Sequence, residues 1–230
     1  MYKDGQIMRL EEVRDLGINP IAILDIGAHS GQFYGWAKRI WPVSIIWMIE
    51  ANHLHEQTLR NITNNNDDEY LITALGDKER DVTFYTRSDK PHTEGNSYYK
   101  ETLYWDLSHL MQKSTVRLQK LDTLFEDDTI FEVIKIDTQG SELDILRGGK
   151  NLVNKASVII LEVSYFEWNL GCPLVDEMID YMASIGFEKF IEIGEHYWPG
   201  GDTPPGMVDM EKGKTVVQKD LGFINNKLDK

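Results

Sequence analysis

Leu24-Asp25-Ile26-Gly27-Ala28-His29-Ser30-Gly31 is the stretch that decides the fold. The residues before it, Ile21–Ile26, are short and apolar like a strand buried on both faces. Those after it, Gly31–Trp41, repeat apolar side chains at helical spacing (Phe33, Trp36, Ala37, Ile40) until Pro42 ends the run. A strand that passes through a glycine turn into a helix opens a parallel, helix-covered sheet. Its glycines let backbone approach a ligand, and the helix start presents unpaired N–H groups. Glu50 follows Gly31 by 19 residues and ends the next strand-like run, Ile45–Ile49. A carboxylate there can hydrogen-bond the ribose hydroxyls of an adenosine ligand. Diphosphate binding favours G-x-G-x-x-G, whereas this loop reads Asp25-x-Gly27-x-x-x-Gly31. An acid at its head repels phosphate and suits a cation.

Working outward, strand-like and helix-like runs alternate, which predicts an α/β fold with helices on both faces of a mostly parallel sheet. Val133–Ile136 and Val158–Val163 read as buried strands, Asn52–Thr63 as a helix and Tyr70–Ala74 as a strand. Val82–Arg87 and Thr115–Leu121 form an extra strand pair in the middle, flanking a polar and aromatic insertion at 88–114 that includes Tyr98, Tyr99, Tyr104 and Trp105. Pro173–Ile185 reads as a helix stopped by Gly186, followed by strand Phe187–Ile193, a loop at 194–214 and a last strand near Thr215–Lys219. No linker divides the chain, so one domain over 1–230 is expected, with a helical extension at 1–19.

A second chemical signal is Lys135-Ile136-Asp137-Thr138-Gln139-Gly140-Ser141-Glu142, at the end of a buried strand. Open α/β sheets bind ligands beyond their strands' carboxyl ends, which places Asp137 at the cofactor or the acceptor. Ser141 and Glu142 read equally as helix-capping or functional residues. Glu162 ends the adjacent strand. Asp137 and Glu162 could together hold Mg²⁺, but no third ligand stands out and no metal is expected. Apart from His29, inside the loop, the histidines read as surface or capping residues.

The chain resembles the FkbM family of S-adenosylmethionine-dependent methyltransferases. The resemblance rests on Leu24–Gly31, Ile49-Glu50-Ala51-Asn52, Ala74-Leu75-Gly76-Asp77, Leu121-Asp122-Thr123-Leu124 and above all Ile134–Gly148. It implies a class I methyltransferase fold, Rossmann-like, whose seven-stranded sheet has its last strand antiparallel to the rest. It implies S-adenosyl-L-methionine as cofactor, S-adenosyl-L-homocysteine as product, and O-methylation of a sugar, glycan or secondary metabolite. By position, Asp25, Gly27, Ala28, His29 and Gly31 would line the methionine end, Glu50 would hold the ribose with Ala51 and Asn52 beside it, Leu75 and Gly76 would lie near the adenine, and Asp137 near the methyl. An aliphatic hydroxyl is a poor nucleophile, so Asp137 is expected to accept its proton or orient it, with Glu162 as the other candidate. Alternatives are N-methylation of a small amine and nucleotide binding without methyl transfer.

The bulk numbers bound the partners. A net charge of −14 repels nucleic acid, and no basic run offsets it. No apolar stretch is long enough to span a bilayer, and the first residues lack a secretory pattern. One cysteine, Cys172, permits no internal disulfide. A cytoplasmic enzyme with a small-molecule or glycan acceptor is the expectation.

Overall fold

The computed structural model describes residues 5–92, 95–101, 110–197 and 216–227. Helix α1 (Gly5–Asp15) precedes β1 (Ala22–Ile26), α2 (Gln32–Ile40), β2 (Ile45–Glu50), α3 (Glu56–Thr63) and β3 (Glu69–Ile72). Then come β4 (Ala74–Leu75), β5 (Arg80–Arg87), β6 (Met111–Gln119), β7 (Val133–Ile136), α4 (Glu142–Gly148), α5 (Lys150–Val153), β8 (Val158–Ser164), α6 (Val175–Ser184), β9 (Phe187–Tyr197) and β10 (Val216–Asn225). Seven strands form the main sheet in the order β3-β2-β1-β7-β8-β10-β9. All are parallel except β10, which runs antiparallel to both β8 and β9. This is the class I methyltransferase arrangement.

Alternation along the strands sends apolar side chains to both faces. Leu24, Ile26, Ile134, Ile136, Ile159 and Leu161 pack with Leu143, Leu146, Met178 and Met182 from α4 and α6. Ile23, Val133, Val158 and Ile160 pack on the other face with Leu10, Val13, Phe33 and Ala37 from α1 and α2. On that second face the same alternation turns polar toward the strands' carboxyl ends. Ile23 gives way to Asp25, Val133 to Lys135 and Asp137, and Ile160 to Glu162. The register aligns Asp25 with Lys135 and Glu162 with Asp220. A charged row thus continues the apolar core.

The middle of the chain differs from expectation. Tyr70–Ala74 is not one strand: β3 pairs with β2, the chain bends where Thr73 N–H donates to the Glu50 carbonyl, and β4 joins β6 instead. The extra pair is therefore a three-stranded sheet, β4-β6-β5. Asn52–Thr63 opens with a 3₁₀ turn at His53–His55, because the Asn52 side chain accepts from Leu54 N–H. The last strand runs on to Asn225, well past Lys219. β9 runs on to Tyr197, so residues 194–197 are strand and not the expected loop; Tyr104, Trp105 and residues 198–214 lie outside the described residues. Among the described residues no helix is long and apolar enough to cross a membrane.

Candidate active site

A cavity of about 400 Å³ opens at the carboxyl ends of β1, β2, β7 and β8, within the roughly 300–1,000 Å³ usual for small-molecule sites. Its floor is the β1–α2 turn. Gly27 (φ 80°) must be glycine, since a Cβ there would lie 1.8 Å from the Asp137 carbonyl oxygen. His29 also sits at positive φ (50°). Four of the turn's amides are already used: Gly27 and Ala28 donate to the Ile49 carbonyl, Gly31 to that of Ala28, and His29 to Glu50 Oε2 at 2.8 Å. A diphosphate would need such amides pointed at it. Glu50 Oε1 accepts from Asn52 N–H at 2.7 Å. Two backbone donors thus hold the Glu50 carboxylate at the cavity wall, although burial pushes its pKa up.

Asp25 is fully buried and lines the same cavity, and neither carboxylate oxygen has a hydrogen-bond partner. Burial raises its pKa to about 7, against the pull of Lys135. An orphaned buried carboxylate is rare and calls for a counter-charge. Among the described residues the ammonium in the row is that of Lys135, whose Nζ lies 2.8 Å from Asp137 Oδ2 and over the Phe33 ring. Burial alone would lower the pKa of Lys135, but Asp137, Asp25 and Asp220 together hold it above the ordinary value. Burial would likewise raise Asp137, yet the Lys135 ammonium keeps it below the usual carboxylate range. Glu162 moves the other way: burial, then Asp137 and Asp220, push it well up. Its Oε2 accepts from Gln139 Nε2 at 2.6 Å and Gln218 Nε2 at 2.9 Å. One buried ammonium among Asp25, Asp137, Glu162 and Asp220 leaves an excess of carboxyl groups. The donor set fits the ammonium and sulfonium of S-adenosylmethionine and suits a diphosphate poorly.

Of the residues singled out from sequence, Asp25, Gly27, Ala28, His29, Glu50, Ala51, Asn52, Leu75, Asp137 and Glu162 all line this cavity. Gly31 and Gly76 do not. A Cβ on Gly31 would come within 2.5 Å of Ile62 Cδ1, and one on Gly76 within 2.7 Å of Leu118 Cδ1, so both serve close packing. Ser141 makes no cap hydrogen bond; its hydroxyl donates to Thr138 Oγ1 at 2.8 Å and it faces the cavity. Glu142 turns back to accept from the amides of Thr138 and Gly140, and burial lifts its pKa to about 7. His55, expected as a surface or capping residue, takes the N-cap position of α3 without a side-chain cap bond and is buried beside His29, with ring centroids 4.0 Å apart. Burial and then His29 and His92 pull its pKa down to about 4, so it is neutral at physiological pH.

The insertion forms one wall. Ser97, Tyr98 and Glu101 line the cavity, as does Trp168 from the segment after β8, while Tyr99, Tyr165 and Phe166 do not. Side chains from several elements latch the insertion down. His29 Nε2 lies 2.7 Å from the His92 carbonyl, Asn52 Nδ2 donates to the Pro91 carbonyl, and the Tyr98 and Tyr99 hydroxyls both donate to Asp144 Oδ2 at 3.0 Å. Sequence reasoning passed over Lys135 as a site residue, and Gln218, Asp220 and the site role of His196. For Lys135, Gln218 and Asp220 the signal was polarity at alternate positions of strands otherwise buried, whereas His196 sits among exposed polar positions of β9 and carries no such signal.

A family model described as the methyltransferase FkbM domain matches residues 25–189. No curated protein matches the sequence. Among solved structures, the plantazolicin methyltransferase BpumL in complex with S-adenosylhomocysteine is similar at a TM-score of 0.50 and 11% identity, covering 97% of this chain and 86% of that one. Sp1610 of Streptococcus pneumoniae, a proposed tRNA (m1A22) methyltransferase, gives 0.50 and 13%, covering 98% and 71%. PH1948 of Pyrococcus horikoshii, a proposed RNA methyltransferase, gives 0.50 and 9%, covering 96% and 79%. At such identities these likenesses establish the fold alone.

Proposed function

Because the chain belongs to the FkbM methyltransferase family and is an S-adenosylmethionine-dependent enzyme, we propose that it methylates a hydroxyl oxygen of a sugar, glycan or secondary metabolite. The observation that carries this reading is the buried, partnerless Asp25 carboxylate in one cavity with Glu50. Asp25 would face the ammonium of the methionine end, beside Gly27, Ala28 and His29. Glu50, whose oxygens retain lone pairs beyond those used by His29 and Asn52, would accept from the ribose hydroxyls, with Ala51, Asn52 and Leu75 around the base. When bound, S-adenosylmethionine supplies a methyl carbon already activated by its sulfonium leaving group.

The protein's part is alignment and exclusion of water. Asp137, ion-paired to Lys135 and held as a carboxylate, is a weak base and a good acceptor of a hydrogen bond, so its role here is to orient the acceptor hydroxyl. Trp36, Trp168 and Tyr98 offer apolar ring faces and Glu101 a carboxylate, a combination suited to a sugar's flat apolar face and polar edge. A charge of −14 works against a nucleic-acid acceptor. N-methylation of a small amine has one observation in its favour, the surplus of carboxyl groups around Glu162 and Asp220.

Isotope-labelled S-adenosylmethionine, offered with a panel of methyl glycosides, small amines and a short RNA, tests the assignment. Label is expected on a glycoside oxygen, with calorimetric binding of S-adenosylhomocysteine. Label confined to amines or RNA, or none on any hydroxyl, would overturn it.

A further inference from the structure

His196 lies on β9, with β8 and β10 between it and the motif-bearing strand β7, yet it reaches the cavity. The route is the antiparallel strand β10. In register, Asp220 faces Glu162 on β8, and Gln218 faces His196 on β9. Residues two apart on a strand share a face, so Gln218 and Asp220 both point to the polar row. His196 Nε2 lies 3.6 Å from Glu162 Oε1 and 3.5 Å from Asp220 Oδ2. Both carboxyl side chains are 3% exposed, whereas the His196 side chain is 24% exposed. It therefore touches the buried charges and the solvent together.

We propose that His196, held between Glu162 and Asp220, takes the proton released when the acceptor hydroxyl is methylated. The proposal rests on the hydroxyl reading above. The acceptor oxygen bonds to the methyl carbon, the carbon–sulfur bond breaks with its electron pair left on sulfur, and the hydroxyl proton passes to the imidazole and from there to water. Asp220 is a positioning residue: its side chain, 3.5 Å from His196 Nε2, stabilises the imidazolium that forms when the proton arrives.

The other groups of the row are poorer choices. Asp137 is stabilised as a carboxylate by Lys135, which weakens it as a base. Glu162 is pushed up by burial and by Asp137 and Asp220, and two amide donors already occupy its Oε2. Among the described residues, the groups facing His196 include Lys135 and Asp137 from β7, Glu162 from β8, and Gln218 and Asp220 from β10. On β9 itself, Glu195 is turned away and paired with Lys219.

Two measurements test this, and the first needs no acceptor. With S-adenosylhomocysteine bound, nitrogen-15 resonances of the imidazoles give the His196 tautomer and its titration midpoint. Asp220→Asn, close to isosteric, is expected to lower that midpoint by about one unit or more, with the other histidines unmoved. The second uses the glycoside that takes label. His196→Gln is expected to lower kcat by about 100-fold or more, to remove the acidic limb of the pH–rate profile, and to leave S-adenosylhomocysteine affinity within about twofold. An unchanged midpoint in Asp220→Asn, or turnover of His196→Gln within about threefold of the parent, would overturn the proposal. A parent enzyme that binds S-adenosylhomocysteine but labels only amines would instead end the hydroxyl reading, and the resonance experiment would still report on the histidine.

Discussion

A carboxylate buried without a partner is costly, and Asp25 meets that cost by holding a proton with a pKa near 7. A cationic ligand must therefore displace that proton, which makes binding depend on pH. Ionised Asp25 is the form that attracts the ligand's ammonium, so affinity for S-adenosylhomocysteine should rise about tenfold from pH 6 to pH 8. Asp25→Asn should bind more weakly, with a flat profile. Calorimetry at several pH values checks both, and an unchanged slope in the variant would remove Asp25 from the site. Asp25, Glu50 and Asp137 were legible in the sequence because each ends a strand inside a compact local motif. His196 and Asp220 were not. They reach Glu162 only through strand pairing across long sequence separations, and no spacing along the chain encodes that.

At the scale of elements, the strands of the main sheet were readable because burial on both faces demands unbroken apolar runs. The bend at Thr73 was hidden, since Tyr70 to Leu75 is continuously strand-like and only the competing partner, β6, divides it. The insertion was recognisable as irregular, but its anchoring depends on side chains far apart in sequence. Tyr98 and Tyr99 both donate to Asp144 on α4, and burial together with that carboxylate drives both hydroxyl pKa values up, so they remain donors at any physiological pH. Asp144→Asn removes the charge from both hydrogen bonds, charge-assisted bonds being roughly twice as strong as neutral ones. Amide exchange at Ser97–Glu101 should then speed up by about tenfold, while exchange in β1 and β7 stays as it was. Equal acceleration throughout would mean that the pair supports the whole fold and not this wall.

For the molecule as a whole, the site sets the pH dependence of stability. Asp25 and Glu142 have folded-state values near 7, above their ordinary ones near 4, so between those limits the native state holds more protons than the unfolded chain. These two groups therefore lower stability as pH rises from about 4 to about 7. His55, pulled down to about 4 by burial, acts oppositely between there and its ordinary 6.5, so the two acids outweigh it and their loss dominates above pH 6. Glu192, lowered to about 2 by Lys189 and Lys219, also acts oppositely, and only below its ordinary value. Without ligand, the Tm should be lower at pH 8 than at pH 6, and Asp25→Asn with Glu142→Gln should flatten that slope. Calorimetric scans at the two pH values decide it; a ligand-free Tm that rises with pH would contradict the burial of these groups. The architecture was legible because strand and helix alternate, and the charge surplus followed only from seeing which strands sit side by side.

The placement of β10 between β8 and β9 has a consequence for how the enzyme comes into being. During synthesis β8 and β9 emerge before the ribbon that joins them, and neither can close the sheet without it. Until translation has passed Asn225, β8 presents an open edge, the kind of edge that invites pairing with a neighbouring chain. Gln218 and Asp220 arrive with that joining ribbon, so the nascent protein gains its polar row and covers the edge of β8 in a single event.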